Sequence, residues 1–255
     1  MSGALEVAAI GMRAQQLALD TIASNISNVN TAGFKRSEMR FSELVATSAG
    51  MGNGGGTALY DTVAGVVPFT APAFAAGGEL YATSSTRDVA INGSGFIELM
   101  GPAGQTLVWR GGQLKVLDDG QLATASGYPL RANITLPRDV SDFRIDPDGK
   151  VFAQSGDDLV PVQIGSITLV RLGESASIER REGGIYQVSD TAPLTELEPG
   201  ESGIGTLVQG ALERSNVDLN SEMVSLLISQ RAYTANAQVL KAADEFFSVA
   251  NSLRR

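Results

Sequence analysis

The chain has 255 residues, 43% of them hydrophobic and only 18% charged, with 29 glycines and a formal net charge of -9; this excludes a wholly disordered chain and supplies apolar material for a real core. It contains neither cysteine nor histidine, which removes disulfide frameworks, thiolate metal sites, cysteine nucleophiles and every histidine-based triad or metal cluster. The acidic balance also argues against a nucleic-acid partner, because there is no surplus of cations to displace counterions from phosphates.

Residues 4–30 read as a helix in which Gly11 is the one strong breaker. Leu5, Met12, Leu19 and Ile26 recur every seven residues, and Ala8, Gln15, Ile22 and Val29 fill the alternate places. That is a heptad seam with a polar defect at Gln15. A second stripe, Val7, Ile10, Ala14, Leu17 and Ala18, lies roughly opposite at about 100° per residue. An ordinary surface helix buries one face, whereas this one asks to bury two. The start of the chain lacks a basic stretch, and Glu6, Gly11 and Arg13 interrupt its apolar run, so it is a poor cleavable signal peptide. No run approaches the roughly 20 apolar residues that a membrane span needs.

Residues 37–80 are expected to form a flexible or extended linker, with Gly50, Gly52, Gly54, Gly55 and Gly56 at its centre. The glycine cluster lacks the Lys-Ser/Thr of a phosphate-binding loop, so it is not a nucleotide site. Period-two patterning then takes over, and 81–204 is expected to be an antiparallel β domain. Its runs are Asp88–Ile91, Gly95–Leu99, Thr106–Trp109, Gln113–Leu117, 144–145 with 150–152, 160–172 and Ile185–Val188. Asn92-Gly93, Asp119-Gly120, Ser126-Gly127, Asp148-Gly149 and Gly183-Gly184 are the turn dipeptides between them. Asp146-Pro147-Asp148-Gly149-Lys150 opens like a calcium loop but lacks the later ligands and closing Glu, and reads as a turn between strands.

The last segment, 205–255, is expected to be a second long helix from about Val217 to Leu253, with Ser215 and Asn216 as N-caps. Leu219, Leu226, Tyr233, Leu240 and Phe247 are spaced by seven, with Met223, Gln230 and Ala237 between them. The far side carries Val224, Ile228, Ala235, Val239, Ala242 and Phe246. The seams of the two terminal helices can satisfy one another, which leaves the opposite stripes for other copies. The expected fold class is α+β, with the N- and C-terminal helices paired as a coiled-coil-like core and a central antiparallel β domain. Charge follows the same division. Residues 1–45 hold four basic and four acidic side chains and 205–255 hold five of each, so 46–204, with ten basic and nineteen acidic, carries the whole -9. Neutral ends tolerate close packing, and an acidic centre suits a solvated surface.

No Gly-x-Ser-x-Gly elbow occurs, and no pair of carboxylates is singled out for acid–base work. No catalytic residue, cofactor or metal site is expected.

Three segments together resemble the axial proteins of the bacterial flagellum, the rod and hook family. The first is Asn25-Ile-Ser-Asn-Val-Asn-Thr-Ala-Gly-Phe-Lys-Arg36, in which Asn25, Asn28, Thr31, Gly33, Phe34 and Lys35 carry the likeness. Asn and Thr compete with helical hydrogen bonds there, and Gly33 can take the positive φ that redirects a chain. The second is Arg87-Asp-Val-Ala-Ile-Asn-Gly-Ser-Gly-Phe96, with Asp88, Gly93, Gly95 and Phe96, followed by Trp109-Arg110-Gly111-Gly112-Gln113-Leu114. Trp109 and Leu114 depart from the family's usual Tyr and Phe. The third runs from Ser215-Asn-Val-Asp-Leu219 through Gln230-Arg231-Ala-Tyr233.

The resemblance implies a self-assembling structural subunit, most like the distal-rod branch, with a proximal rod or hook-type subunit as the alternative. A secreted β-domain enzyme or binding module with helical ends is the rival from another class. Packing between subunits would fall to Leu5, Met12, Leu19, Ile22, Ile26, Val29, Leu219, Met223, Leu226, Tyr233, Leu240 and Phe247. The implied partners are further copies of itself, neighbouring rod and hook subunits, the flagellar type III export apparatus and the bushing rings around the rod. The implied location is the periplasm-spanning rod of the basal body, reached without a cleaved signal peptide.

Overall fold

A computed structural model describes residues 2–44, 65–74, 76–137, 142–153, 161–173, 178–189 and 192–252. The chain is α+β and divides into two units, one of 1–26, 37–72 and 219–255, the other of 27–36 and 73–218. The glycine cluster at 50–56 lies outside the described residues.

The first unit holds α1 (Ser2–Ser27), β1 (Ser37–Leu44), β2 (Gly65–Pro72) and α2 (Leu219–Ser252). The 26 and 34 residues of the helices give lengths of about 39 and 51 Å. The expected linker at 37–80 needs correction. β1 and β2 pair antiparallel from Ser37↔Pro72 to Leu44↔Gly65, so this stretch contains a hairpin of two eight-residue strands and is not a bare connector. The glycines that suggested a linker lie between the strands. Asn25, almost fully buried near the end of α1, holds the first strand in place. Its Oδ1 accepts from Ser37 N–H and its Nδ2 donates to Ser37 C=O, both at 2.9 Å. The amide thus satisfies both main-chain groups of Ser37, as a neighbouring strand would. Asn236 of α2 lies against Gly11 of α1, where an added Cβ would come 3.1 Å from Nδ2. The breaker in the first helix is therefore a point of close approach.

The second unit contains β3 (Leu80–Ala82), β4 (Asp88–Asn92), β5 (Phe96–Met100), β6 (Thr106–Trp109), β7 (Gly111–Val116) and β8 (Leu122–Thr124). These are followed by β9 (Phe143–Ile145), β10 (Lys150–Ala153), β11 (Val162–Ser166), β12 (Leu169–Leu172) and β13 (Ile178–Arg180). The last four are β14 (Ile185–Val188), β15 (Leu194–Leu197), β16 (Thr206–Gln209) and β17 (Ala211–Glu213). They form a six-stranded sheet β13-β14-β6-β5-β12-β15, a four-stranded sheet β16-β4-β7-β8, a three-stranded sheet β11-β10-β9 and the pair β17-β3.

Both faces of the six-stranded sheet are buried, and the alternation of its side chains sorts them into two cores. Ile97, Leu99, Leu107, Trp109, Leu169 and Ile185 join Val89, Ile91, Leu114, Leu122 and Val151 from the other sheets in the larger core. Phe96, Val108, Val170, Tyr186 and Val188 point the other way, with Phe74 packed against them. Trp109 is thus a core residue, 2% exposed.

Three further expectations change. Asn92-Gly93 does not close a hairpin, because β4 and β5 belong to different sheets. Gly93, at φ 116°, makes a corner where an added Cβ would sit 2.8 Å from the Gly205 Cα, so only glycine fits. The run 160–172 is two strands in two sheets, β11 and β12, parted at the fully buried Ile167. The boundary at 205 also moves, because β16 pairs with β4 and β17 with β3, leaving 205–218 with the β unit. The turns expected at 118–120 and 146–150 are present, closed by Gly120 N–H donating to Leu117 C=O and Gly149 N–H to Asp146 C=O, each at 2.9 Å. Among the described residues no helix is long and apolar enough to cross a membrane.

Candidate functional site

Two features of the chain carry its chemistry, one in each unit. In the β unit, the motif segments converge on a buried carboxylate. The chain leaves α1 through a turn at 28–33, where Thr31 Oγ1 donates to Asn28 Oδ1 at 3.2 Å and Gly33 takes φ 69°. Gly33 N–H donates to Glu213 C=O at 2.7 Å, which aims Phe34 and Lys35 inward, and both are buried. Lys35 Nζ donates to Glu213 Oε1 at 2.7 Å and to Ala76 C=O at 3.0 Å. The other oxygen, Oε2, accepts from Arg110 Nε at 2.9 Å. Arg110 then spans the corner after β4, donating from Nη1 to Gly95 C=O at 2.6 Å and from Nη2 to Gly93 C=O. Gly78 N–H adds a bond to Glu213 Oε1 at 2.7 Å.

This network is almost water-free, with the three charged side chains 5% exposed or less. Burial pulls the Lys35 ammonium below its ordinary pKa, against the raising effect of the Glu213 hydrogen bond and charge. One carboxylate thus satisfies two cations drawn from segments 75 residues apart in sequence, and neither cation could be buried alone. Phe34 packs under the Arg180 guanidinium, 4.0 Å from its ring centre, and Arg180 Nη2 donates to Lys35 C=O.

Asn216 completes the junction. Its Oδ1 accepts from Arg36 N–H at 2.6 Å, and its Nδ2 donates to Ala73 C=O at 3.1 Å and Ala76 C=O at 3.0 Å. The expected capping roles are therefore corrected. α2 begins at Leu219, beyond Ser215 and Asn216; the Asn216 amide is already spent on the junction, and Ser215 Oγ accepts from Val217 N–H at 3.3 Å. Asp88 is buried in β4, and Phe96 lies in the smaller core beneath Arg110, 5.9 Å from its guanidinium carbon. Gln230 and Arg231 are exposed on α2 and take no part. Glu213 and Arg110 are the residues that the motif reading did not single out. A buried lysine inside a motif demands a counter-charge, but nothing local marks which of 28 acidic residues supplies it.

The second feature is the surface of α2. Its covered side carries Glu222 and Ser229, both buried, with Leu226, Asn236, Ala237 and Leu240 half-buried. The outer stripe is uncovered: Val224 is 57% exposed, Ile228 63%, Val239 55% and Phe246 73%. These four fall within about 60° of one another on a 3.6-residue helix. Leu219, Met223 and Tyr233, assigned to the seam, are also exposed. On α1, Ile22 is buried, Met12, Leu19 and Ile26 are half-buried, and Ile10 of the second stripe is exposed; Val29, expected in the same helix, lies beyond its end in the turn and is half-buried. The side chains of Leu5 and Phe247 lie outside the described residues. Apolar side chains left uncovered along one side of a helix, here interrupted by Arg231, are the kind of surface that suits contact with another chain.

Family profiles match the chain in three places: "Flagella basal body rod protein" over residues 5–35, "Flagellar hook protein FlgE/F/G D1 domain" over 90–153 and "Flagellar basal body rod FlgEFG protein C-terminal" over 208–253. Similar full-length relatives include the flagellar basal-body rod protein FlgG of Caulobacter vibrioides, 33% identical over 98% of this chain and 99% of the relative. The FlgG of Borreliella burgdorferi is 32% identical over the whole of both chains, and that of Bacillus subtilis 30% identical over 96% of each.

Proposed function

The chain belongs to the FlgG family of flagellar basal-body rod proteins, structural subunits and not enzymes, and from that premise we propose that it polymerises into the tubular drive shaft carrying torque to the hook. In this reading α1 and α2 pair as the subunit's core, a pairing supported by the approach of Asn236 to Gly11. The uncovered stripe of α2 then packs on neighbouring copies. A contact that does not close on itself propagates as a filament. The acidic β unit faces outward, where net charge discourages lateral sticking. Neighbouring rod and hook subunits cap the polymer, bushing rings surround it, and the chain arrives through the type III export channel to span the periplasm.

The exposed apolar band on α2 is the observation that carries this reading. Substituting two of its side chains tests it. Val224→Asp and Ile228→Asp should each abolish polymer formation by the purified chain and motility in the cell, while the circular dichroism of the monomer stays unchanged. Normal polymers from either variant would contradict the proposal.

A further inference from the structure

Beside the motif turn lies a cavity of about 640 Å³, walled by Phe34, Arg180, Arg181, Gly183, Gly184 and Tyr186. Every one of these residues belongs to the β unit. The cavity presents more positive charge than its surroundings balance. Arg180 spends Nη2 on the Lys35 carbonyl, but its Nε is buried without a hydrogen-bond partner. Arg181 reaches only the neutral Gln187, donating to Oε1 from Nε at 3.2 Å and Nη2 at 2.5 Å. Among the described residues neither arginine has a carboxylate partner.

Tyr186 is fully buried, its ring packed edge-on to Phe74 at 5.0 Å, and its hydroxyl lies against the Arg180 guanidinium and the Lys35 main chain without an acceptor for its own proton. Burial pushes that phenol's pKa upward, so the group stays a neutral donor. Two guanidinium groups with no carboxylate beside them and a phenol proton with no acceptor ask for an anion, and the buried donors among them, Arg180 Nε and the Tyr186 hydroxyl, reward it most.

The occupant is named by charge. The central region 46–204 holds nineteen acidic against ten basic side chains, so in a polymer the neighbouring copies are a ready source of carboxylates. We propose that the cavity is the receiving end of a contact between subunits, taking an Asp or Glu side chain from the central region of a second copy of this chain. The inference rests on the rod reading and adds to it a polar contact between β units, separate from the apolar band of α2.

Carbodiimide coupling gives the test, because it joins an amine to a carboxylate with no spacer and so reports the two groups in direct contact. The Arg181→Lys chain keeps the charge and introduces the amine. Polymers grown from equal parts of isotopically heavy and light copies are coupled, digested and analysed by mass spectrometry. The expected product joins position 181 of one copy to an Asp or Glu within 46–204 of the other, with mixed isotopic labels. In parallel, Tyr186→Phe and Arg181→Glu should raise the critical concentration for polymerisation about tenfold with the monomer's circular dichroism unchanged. Coupling confined to one copy, coupling to a carboxylate outside 46–204, or no coupling at all overturns the proposal. So do unchanged critical concentrations in both variants. In those cases the polymer itself still stands, whereas failure of the wild-type chain to polymerise overturns the rod reading and this inference together.

Discussion

Glu213 shows how a single buried carboxylate can tie distant segments together. Removing it leaves Lys35 and Arg110 as two uncompensated cations in a site almost closed to water. Glu213→Ala should therefore cost about 3–5 kcal/mol in denaturant unfolding. Lys35→Met should cost clearly less, since Glu213 keeps Arg110 and the Gly78 N–H and a burial-penalised charge is gone. Equal losses would mean that Glu213 is not the hub. Glu98 supplies a pH signature. It sits at 15% exposure, paired with Arg131 at 2.9 Å, and burial chiefly raises its pKa above the ordinary 4.5, helped by the Glu196 charge and opposed by Arg131. A folded-state pKa above the unfolded one means that the group's contribution is full below 4.5 and is lost as pH rises through the raised value. Across that window the stability of the wild type, measured relative to Glu98→Gln, should fall with rising pH; a flat difference would contradict the assignment. At this scale the sequence made the motif residues legible because glycine, asparagine and phenylalanine do local jobs there. Arg110 and Glu213 were not legible, because their burial depends on three segments meeting, which no local pattern records.

Elements were legible in proportion to the periods they contain. The two terminal helices span seven or more turns, and their observed limits, 2–27 and 219–252, lie within three residues of those read from the heptads. Strands such as β6 and β14 match their expected ranges because short, mainly apolar runs stand between clear turns. β3, β8, β13 and β17 have three residues each, too few to establish an alternation. The hairpin of β1 and β2 was hidden because the glycine-rich stretch between its strands dominated the reading of the whole segment. The consequences of Val224→Asp and Ile228→Asp also belong to this scale. Each side chain is more than half exposed in the single chain, so monomer unfolding should move by no more than about 0.5 kcal/mol. In the polymer the same aspartate would have to be buried without a partner, which is why assembly fails while the fold survives.

For the molecule as a whole, composition excluded histidine and cysteine chemistry and set neutral ends around an acidic centre, while assembly was legible only in the two-sided terminal helices and the family resemblance. The structure adds that the apolar band of α2 is open in one copy, and the family supplies the polymer that would close it. The absence of cysteine makes a direct measurement possible, since a single Ile228→Cys substitution introduces the chain's one thiol. Its rate of reaction with a soluble maleimide should be close to that of a free peptide in dilute monomer and should fall at least tenfold in the assembled rod. Protection already complete in the dilute monomer, or equal reactivity in monomer and polymer, would contradict the account that this band is the surface on which subunits stack.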